Sequence, residues 1–255
     1  MEQQGAVLTS KEAREKILAG ERGLRGATIE GSLDLDREII KGDVDFREAL
    51  IKGDVYLGVA LIEGALRFEG AIIEGFFDLG GANIKDCLDL TGAVIKNYLY
   101  LKGSTIESYL GLHGATIEGN LDLGGATIKG HLNLNGVTIK GYLNLNRATI
   151  KGNVDLGGAT IDNYLDFGGA TIEGHLDLEG TAIKDCLYLV NAAIKSYLCL
   201  REATIWRFMV LRGATIGGNL DLSTKEGPLQ IYASPEIAQS VHWAAPITPL
   251  VVMKN

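Results

Sequence analysis

The sequence predicts an all-β fold, a right-handed parallel β-helix wound as a four-sided solenoid of about nine coils. Three observations carry that expectation. From Gly26 to Ser223 the chain divides into eighteen consecutive units of eleven residues with no insertion. Each unit reads G-A-T-I-[E/K]-G-x-L-D-L-x and holds two alternations, A-T-I and L-D-L, with apolar outer members and a polar middle one, the period of a strand. Charges at position five of the unit alternate in sign every twenty-two residues.

The first element, residues 1–25, is a non-repeat segment with a capping helix. Thr9-Ser10-Lys11-Glu12 fits a capping box, and Ala13, Ile17 and Leu18 suit a short helix that stops at Gly20. An open solenoid end exposes apolar core and unpaired backbone, so a cap is expected there.

The second element, residues 26–223, is the β-helix. Position four is Ile in all eighteen units, and position ten is always Leu or Phe. Position six is Gly, Asn or Asp in fifteen units, which predicts a left-handed corner there. Position five sets the coil length. Equivalent residues of successive coils stack about 4.8 Å apart, where opposite charges attract and like charges repel. With eleven residues per coil, seven of fifteen stacked pairs would be opposite; with twenty-two, thirteen of fourteen are, Lys129–Lys151 being the exception. Twenty-two residues make a coil of four short strands. Nine such coils are about 43 Å long at that spacing.

The third element, residues 224–255, leaves the repeat and holds all four prolines. Its apolar run PITPLVVM is too short to span a bilayer and reads as a lid or a homodimer contact.

The coil resembles that of the pentapeptide-repeat family, in which a small and then a large apolar residue point inward five residues apart. Ala27-Thr28-Ile29-Glu30-Gly31 fits that unit, and Ile17 to Ile29 resembles the entry from a capping helix into a first coil. The resemblance spans roughly residues 9–223. It implies a right-handed helix, as parallel connections generally are. This chain departs from the family by using Leu or Val on every second face and by an extra residue at position seven, so a wider or more rectangular coil is expected. Some members resemble B-DNA and act on type II topoisomerases, so a DNA-mimicking role is one implication.

Composition narrows the function classes. Net charge is −8, and residues 26–223 carry −9 of balance against +1 before them and zero after. No face is basic, so direct nucleic-acid binding is not expected. Three cysteines, Cys87, Cys186 and Cys199, lack metal spacing and point to free thiols in a cytoplasmic protein. No signal segment and no membrane span is read. No nucleophile elbow, zinc motif, P-loop or dinucleotide fingerprint occurs, so no catalytic, cofactor or metal residue is assigned. His131 and His175 share an edge but lie two coils apart, about 9.6 Å, too far for one ion.

One partner-binding candidate stands out. Position seven of alternate units gives Phe76, Tyr98, Tyr142, Tyr164 and Phe208, interrupted by Asn120 and Cys186, an aromatic ladder along one edge. It could stack on an elongated partner or simply pave the extra corner residue. The early apolar residues at outward position three, Ile39, Leu50, Leu61, Ile72 and Val94, are expected either under the N-terminal segment or as a contact surface. Later threonines at that position follow from β-propensity without invoking ice. Glu38 stands where most units place Ala, which fits a first coil not yet closed. Acids are spaced apart, so a β-helical carbohydrate-active enzyme, which needs two carboxylates close together, ranks below a non-enzymatic scaffold that binds protein. Asp155 over Asp177 is the one stacked acidic pair at position nine.

Overall fold

Each coil consists of four strands, most of two residues, and strands of successive coils pair in parallel to give four sheets. The structure is a computed structural model and describes residues 5–224, 230–234 and 250–252. The twenty-two-residue coil holds throughout the repeat: Thr28 pairs with Leu50, Leu33 with Val55, Ile39 with Leu61 and Val44 with Leu66. Lys52 accordingly meets Glu30 at 2.8 Å. We number the faces in chain order, so that Thr28–Glu30 opens the first repeat face, Leu33–Asp34 the second, Ile39–Ile40 the third and Val44–Asp45 the fourth. They hold ten, eleven, nine and nine strands. Nine rungs per face come from the eighteen units; the surplus comes from the ends.

At the N-terminal end, Val7–Thr9 pairs in parallel with Thr28–Glu30 and adds a rung to the first face. A helix, α1 (Ser10–Ala19), follows. Thr9 accepts the Glu12 amide on its hydroxyl and donates its own amide to the Glu12 carboxylate, the reciprocal capping box. Gly20 ends the helix with φ +100°. Ala13 and Ile17 are buried over the core, whereas Leu18 is 39% exposed. Glu38 pairs with Arg14 of α1, whose Nε also donates to the Asp34 carbonyl at 3.1 Å. An acid replaces Ala there because the rung below is a helix carrying a cation. The early apolar set is not buried under this segment: Ile39 is 60% and Ile72 38% exposed. The segment joins the solenoid end-on, as an extra rung, and does not wrap its sides.

Beyond Ser223 the second face continues. Gln230–Ala233 pairs with Phe208–Val210, again at twenty-two residues, and Leu250–Val252 pairs with Gln230–Ala233. Ile231 and Ala233 are buried. Most of the tail to which a homodimer contact was assigned, 225–229, 235–249 and 253–255, lies outside the described residues. Among those described, no helix is long and apolar enough to cross a membrane.

The two corners of the unit differ from the expectation. The left-handed residue is at position one, not six: all eighteen units have φ between +55° and +67° there, including the non-glycines Arg37, Glu48, Val59, Arg147, Asn191 and Glu202. A β-turn explains it. The amide of position two donates to the carbonyl of position ten, as Ala49 does to Phe46 at 3.0 Å. Position one is then the third turn residue, which a type II turn requires at positive φ. At position six only Gly31 and Gly42 have positive φ. The other glycines at that position are there for space, as argued below for Gly130.

The acid at position nine has a turn role of its own. Asp34, Asp78, Asp122, Asp155, Asp166 and others accept, on one carboxylate oxygen, the amide two residues ahead. This Asx turn satisfies a donor that would otherwise lack a partner.

Val59 holds a β-branched side chain at φ +58°, 66% exposed, where most units have glycine. Val59→Gly is expected to stabilise the chain by about 0.5–1 kcal/mol, since relief of left-handed strain outweighs the added freedom of the unfolded chain. Urea denaturation measures it; an unchanged or lower midpoint would show that the turn tolerates Val without strain.

Candidate functional site

The position-seven aromatics lie on the second face, at the start of its strands, and are half-buried against one another. The structure places them in two groups. Phe76 meets Tyr98 at 5.7 Å between centroids, and Tyr98 meets Tyr100 edge-on at 5.8 Å. Tyr142 stacks flat on Tyr164 at 4.9 Å, and the row continues through Tyr188, Phe208 and Tyr232 at 6.2, 5.8 and 5.9 Å. Asn120 separates the groups because its side-chain oxygen accepts the Tyr142 amide at 3.0 Å and puts no ring in the gap. Tyr100 and Tyr188 belong to position nine, whose second-face column alternates Asp with Tyr or Asn and reads as a device that spaces acids, and Tyr232 extends that column beyond the repeat. Their signal is that they fall next to the ladder's interruptions: Tyr188 bridges the gap at Cys186.

Burial pushes the phenols of Tyr100, Tyr142 and Tyr164 above the ordinary value. Tyr188 is pushed up to about 12, by burial first and then by its hydrogen bond with Cys186. These side chains stay neutral across the physiological range.

Beside the second group, the same face opens into two adjoining hollows of about 340 and 430 Å³. They share Asn146, Arg147 and Asp166 and together run from Lys102 to Asn191. Their floor is low because glycine pairs recur at positions eleven and one of alternate coils, as Gly124-Gly125 and Gly168-Gly169. Each pair follows an Asp whose Asx turn fixes it, Asp122 and Asp166. Between the glycine rungs stand bulkier ones, Lys102-Gly103, Asn146-Arg147 and Val190-Asn191. The groove therefore has a period of two coils, about 9.6 Å.

Its polar groups are only partly used. Asn144 is held, its Nδ2 donating to Asp122 at 2.9 Å and its oxygen accepting the Asn146 amide. The Asn146 side chain rests over Gly168, where a Cβ would come within 2.8 Å of its Nδ2. Among the described residues, neither the Asn146 amide group nor the Lys102 and Arg147 cations have a side-chain hydrogen bond or ion pair. Along position five the lysines at 52, 85, 96, 129, 140, 151, 184 and 195 meet an acid on a neighbouring rung, whereas Lys41, Arg22, Arg37 and Arg212 share the unpaired state of Lys102 and Arg147 among the described residues.

Several other titratable groups are absorbed by structure. Glu173 lies between Lys195 and Lys151, whose hydrogen bonds hold its carboxyl below the usual value, and Glu107 is held down in the same way chiefly by Lys129. Asp155 and Asp177, the stacked acids, each give one oxygen to a turn amide. Asp177, Glu179 and Cys199 come together on the fourth face, a group with no motif in the sequence. Glu179 is engaged by Arg201 through two nitrogens, and burial pushes the Cys199 thiol up. His175 stacks on Tyr197 at 4.5 Å, and the His131 ring accepts the Asn153 amide. All three cysteines are free thiols.

No known protein family, curated protein or solved structure matches this chain.

Proposed function

We propose that the protein is a non-enzymatic binding scaffold, a variant of the pentapeptide-repeat coil, whose working surface is the second face. The observation that carries this is the concentration there of aromatic rings, a groove of two-coil period and two unpaired cations. Along position five, by contrast, most charges are matched rung by rung. A rigid solenoid fixes such a surface in advance, so a partner loses little to ordering the receptor. The partner is a protein, since rings with a few directed polar groups are the usual composition of a protein-binding patch.

Two other readings have less support. A DNA mimic needs continuous acidic stripes, but the position-five acids are interleaved with lysines that neutralise them. A glycoside-cleaving site needs two free carboxylates near each other, and the stacked Asp155–Asp177 pair is bound into turns.

A photoactivatable residue placed at Tyr164, with Thr149 on the third face as control, tests the assignment. The expected result in an extract of the source cell is a discrete cross-linked protein from position 164 and none from 149. Equal labelling of both faces, or none, would remove the second face from consideration.

A further inference from the structure

The groove has more chemistry than a scaffold requires, and its dimensions select among protein partners. Resting on the scaffold reading above, we infer that the groove beside Tyr164 and Tyr188 takes a polyproline II segment carrying acidic side chains at every third position.

Three features lead there. The first is charge. Lys102 and Arg147 are exposed and unpaired in an acidic protein, so the groove offers a place where a carboxylate gains an ion pair without breaking one. The second is spacing. The residue two coils from Lys102 is Asn146, and Arg147 is the next in the chain, so the Lys102 and Arg147 backbones are about 10 Å apart. A polyproline II helix repeats every three residues and rises about 3.1 Å per residue, so side chains at i and i+3 leave the same side about 9.3 Å apart. An extended strand would turn i and i+3 to opposite sides. The third is surface. Polyproline II ligands dock in grooves lined by aromatic rings, with donors that reach their bare carbonyls. Tyr164 and Tyr188 form one wall, and the unpaired Asn146 amide projects over the Gly168 floor as such a donor.

Arg147 occupies a turn position that prefers glycine. It sits at φ +57° in a column where the residues one coil below and one above, Gly125 and Gly169, are glycines. Arg37, Glu48, Val59, Asn191 and Glu202 hold the same conformation at this position, so the turn accepts a side chain here at the cost of some strain. The Cγ of Arg147 lies 3.5 Å from where a Cβ of Gly169 would be, an ordinary van der Waals contact, so the side chain passes beside the Gly169 rung.

The same strain supplies a test that misfolding cannot imitate. Arg147→Gly restores the residue the turn prefers, so the variant should be at least as stable as the parent while losing a cation. The probe is a synthetic peptide of four Glu-Pro-Pro triplets, measured by titration calorimetry on the full chain. Controls are a peptide of Glu-Pro-Pro-Pro quadruplets and one of Lys-Pro-Pro triplets. The expected result is saturable binding of the Glu triplets, at least tenfold weaker for the quadruplets and absent for the Lys triplets. Arg147→Gly and Lys102→Gln should each weaken it at least fivefold with no loss of thermal midpoint. No binding of the Glu triplets, equal binding of the quadruplets, or indifference to Arg147→Gly would overturn the inference. If the Glu triplets fail while cross-linking from Tyr164 still captures a partner, the ligand chemistry falls and the scaffold assignment stands; if both fail, both fall.

Discussion

Phe68→Ala is expected to destabilise the protein by about 3–5 kcal/mol, the range for emptying a buried aromatic site. Phe68 is fully buried and lies between two other rings, Phe46 one coil below at 4.7 Å and nearly parallel, and Phe77 at 4.7 Å and tilted. Most rungs fill position ten with Leu; here successive fourth-face rungs use Phe, so the neighbouring side chains are set to the larger volume and cannot close the hole. Leu90→Ala, at the same register one coil further on, provides the comparison within the range of about 2–5 kcal/mol. Chemical denaturation followed by circular dichroism measures both. A loss below about 1 kcal/mol for Phe68→Ala would mean that the rungs collapse freely on one another, contrary to a core packed in ranks. Because each coil touches only its neighbours, the destabilised segment should also exchange its amide hydrogens faster than coils near Ile139.

The difference between what the residues reveal and what they conceal has a physical basis. Inward positions are legible because burial is nearly absolute: Ile29, Leu33, Ile40 and Val44 are each at most 2% exposed, and one polar residue among them would be costly. Coil length is legible because Glu30 and Lys52 are in contact and charge responds to contact. The corners are harder. Glycine serves two unrelated purposes in this unit, positive φ and bare space, and a sequence records only that the side chain is missing. The site is harder still. The Phe76, Tyr98, Tyr142, Tyr164 and Phe208 column can be read off one register, but the contacts of Tyr188 and the groove along Lys102 and Arg147 join positions seven, nine, eleven and one. Those registers meet only after winding. Asp166 shows the reverse error, since an acid that looks available for chemistry is committed to the Gly168 amide.

Substitution at Gly130 and Gly125, five residues apart, separates the two uses of glycine. Gly130 is at position six, and a Cβ there would fall 2.6 Å from the Ser108 carbonyl oxygen and 2.8 Å from its carbon. Both are backbone atoms of the rung below, so nothing flexible can move aside. Gly130→Ala should therefore cost about 1–3 kcal/mol by forcing rungs apart, and it should weaken the 2.7 Å hydrogen bond from the Gly130 amide to Ser108. Ser108, Ser196 and Arg207, which carry a side chain at this position, make the corresponding bond at 3.2 Å, against 2.7–3.1 Å where the position is glycine. Gly125 is at position one, has φ +66° and would meet nothing within 4 Å. Gly125→Ala is expected to cost about 1–2 kcal/mol through left-handed strain alone. Asparagine tells the mechanisms apart, because it tolerates that conformation but is larger than alanine, and Asn191 already occupies the position with φ +55°. Gly125→Asn should lose less stability than Gly125→Ala, and Gly130→Asn should lose more than Gly130→Ala. The same order at both sites, measured by urea unfolding, would show that one cause governs both corners and that the turn assignment at position one is wrong.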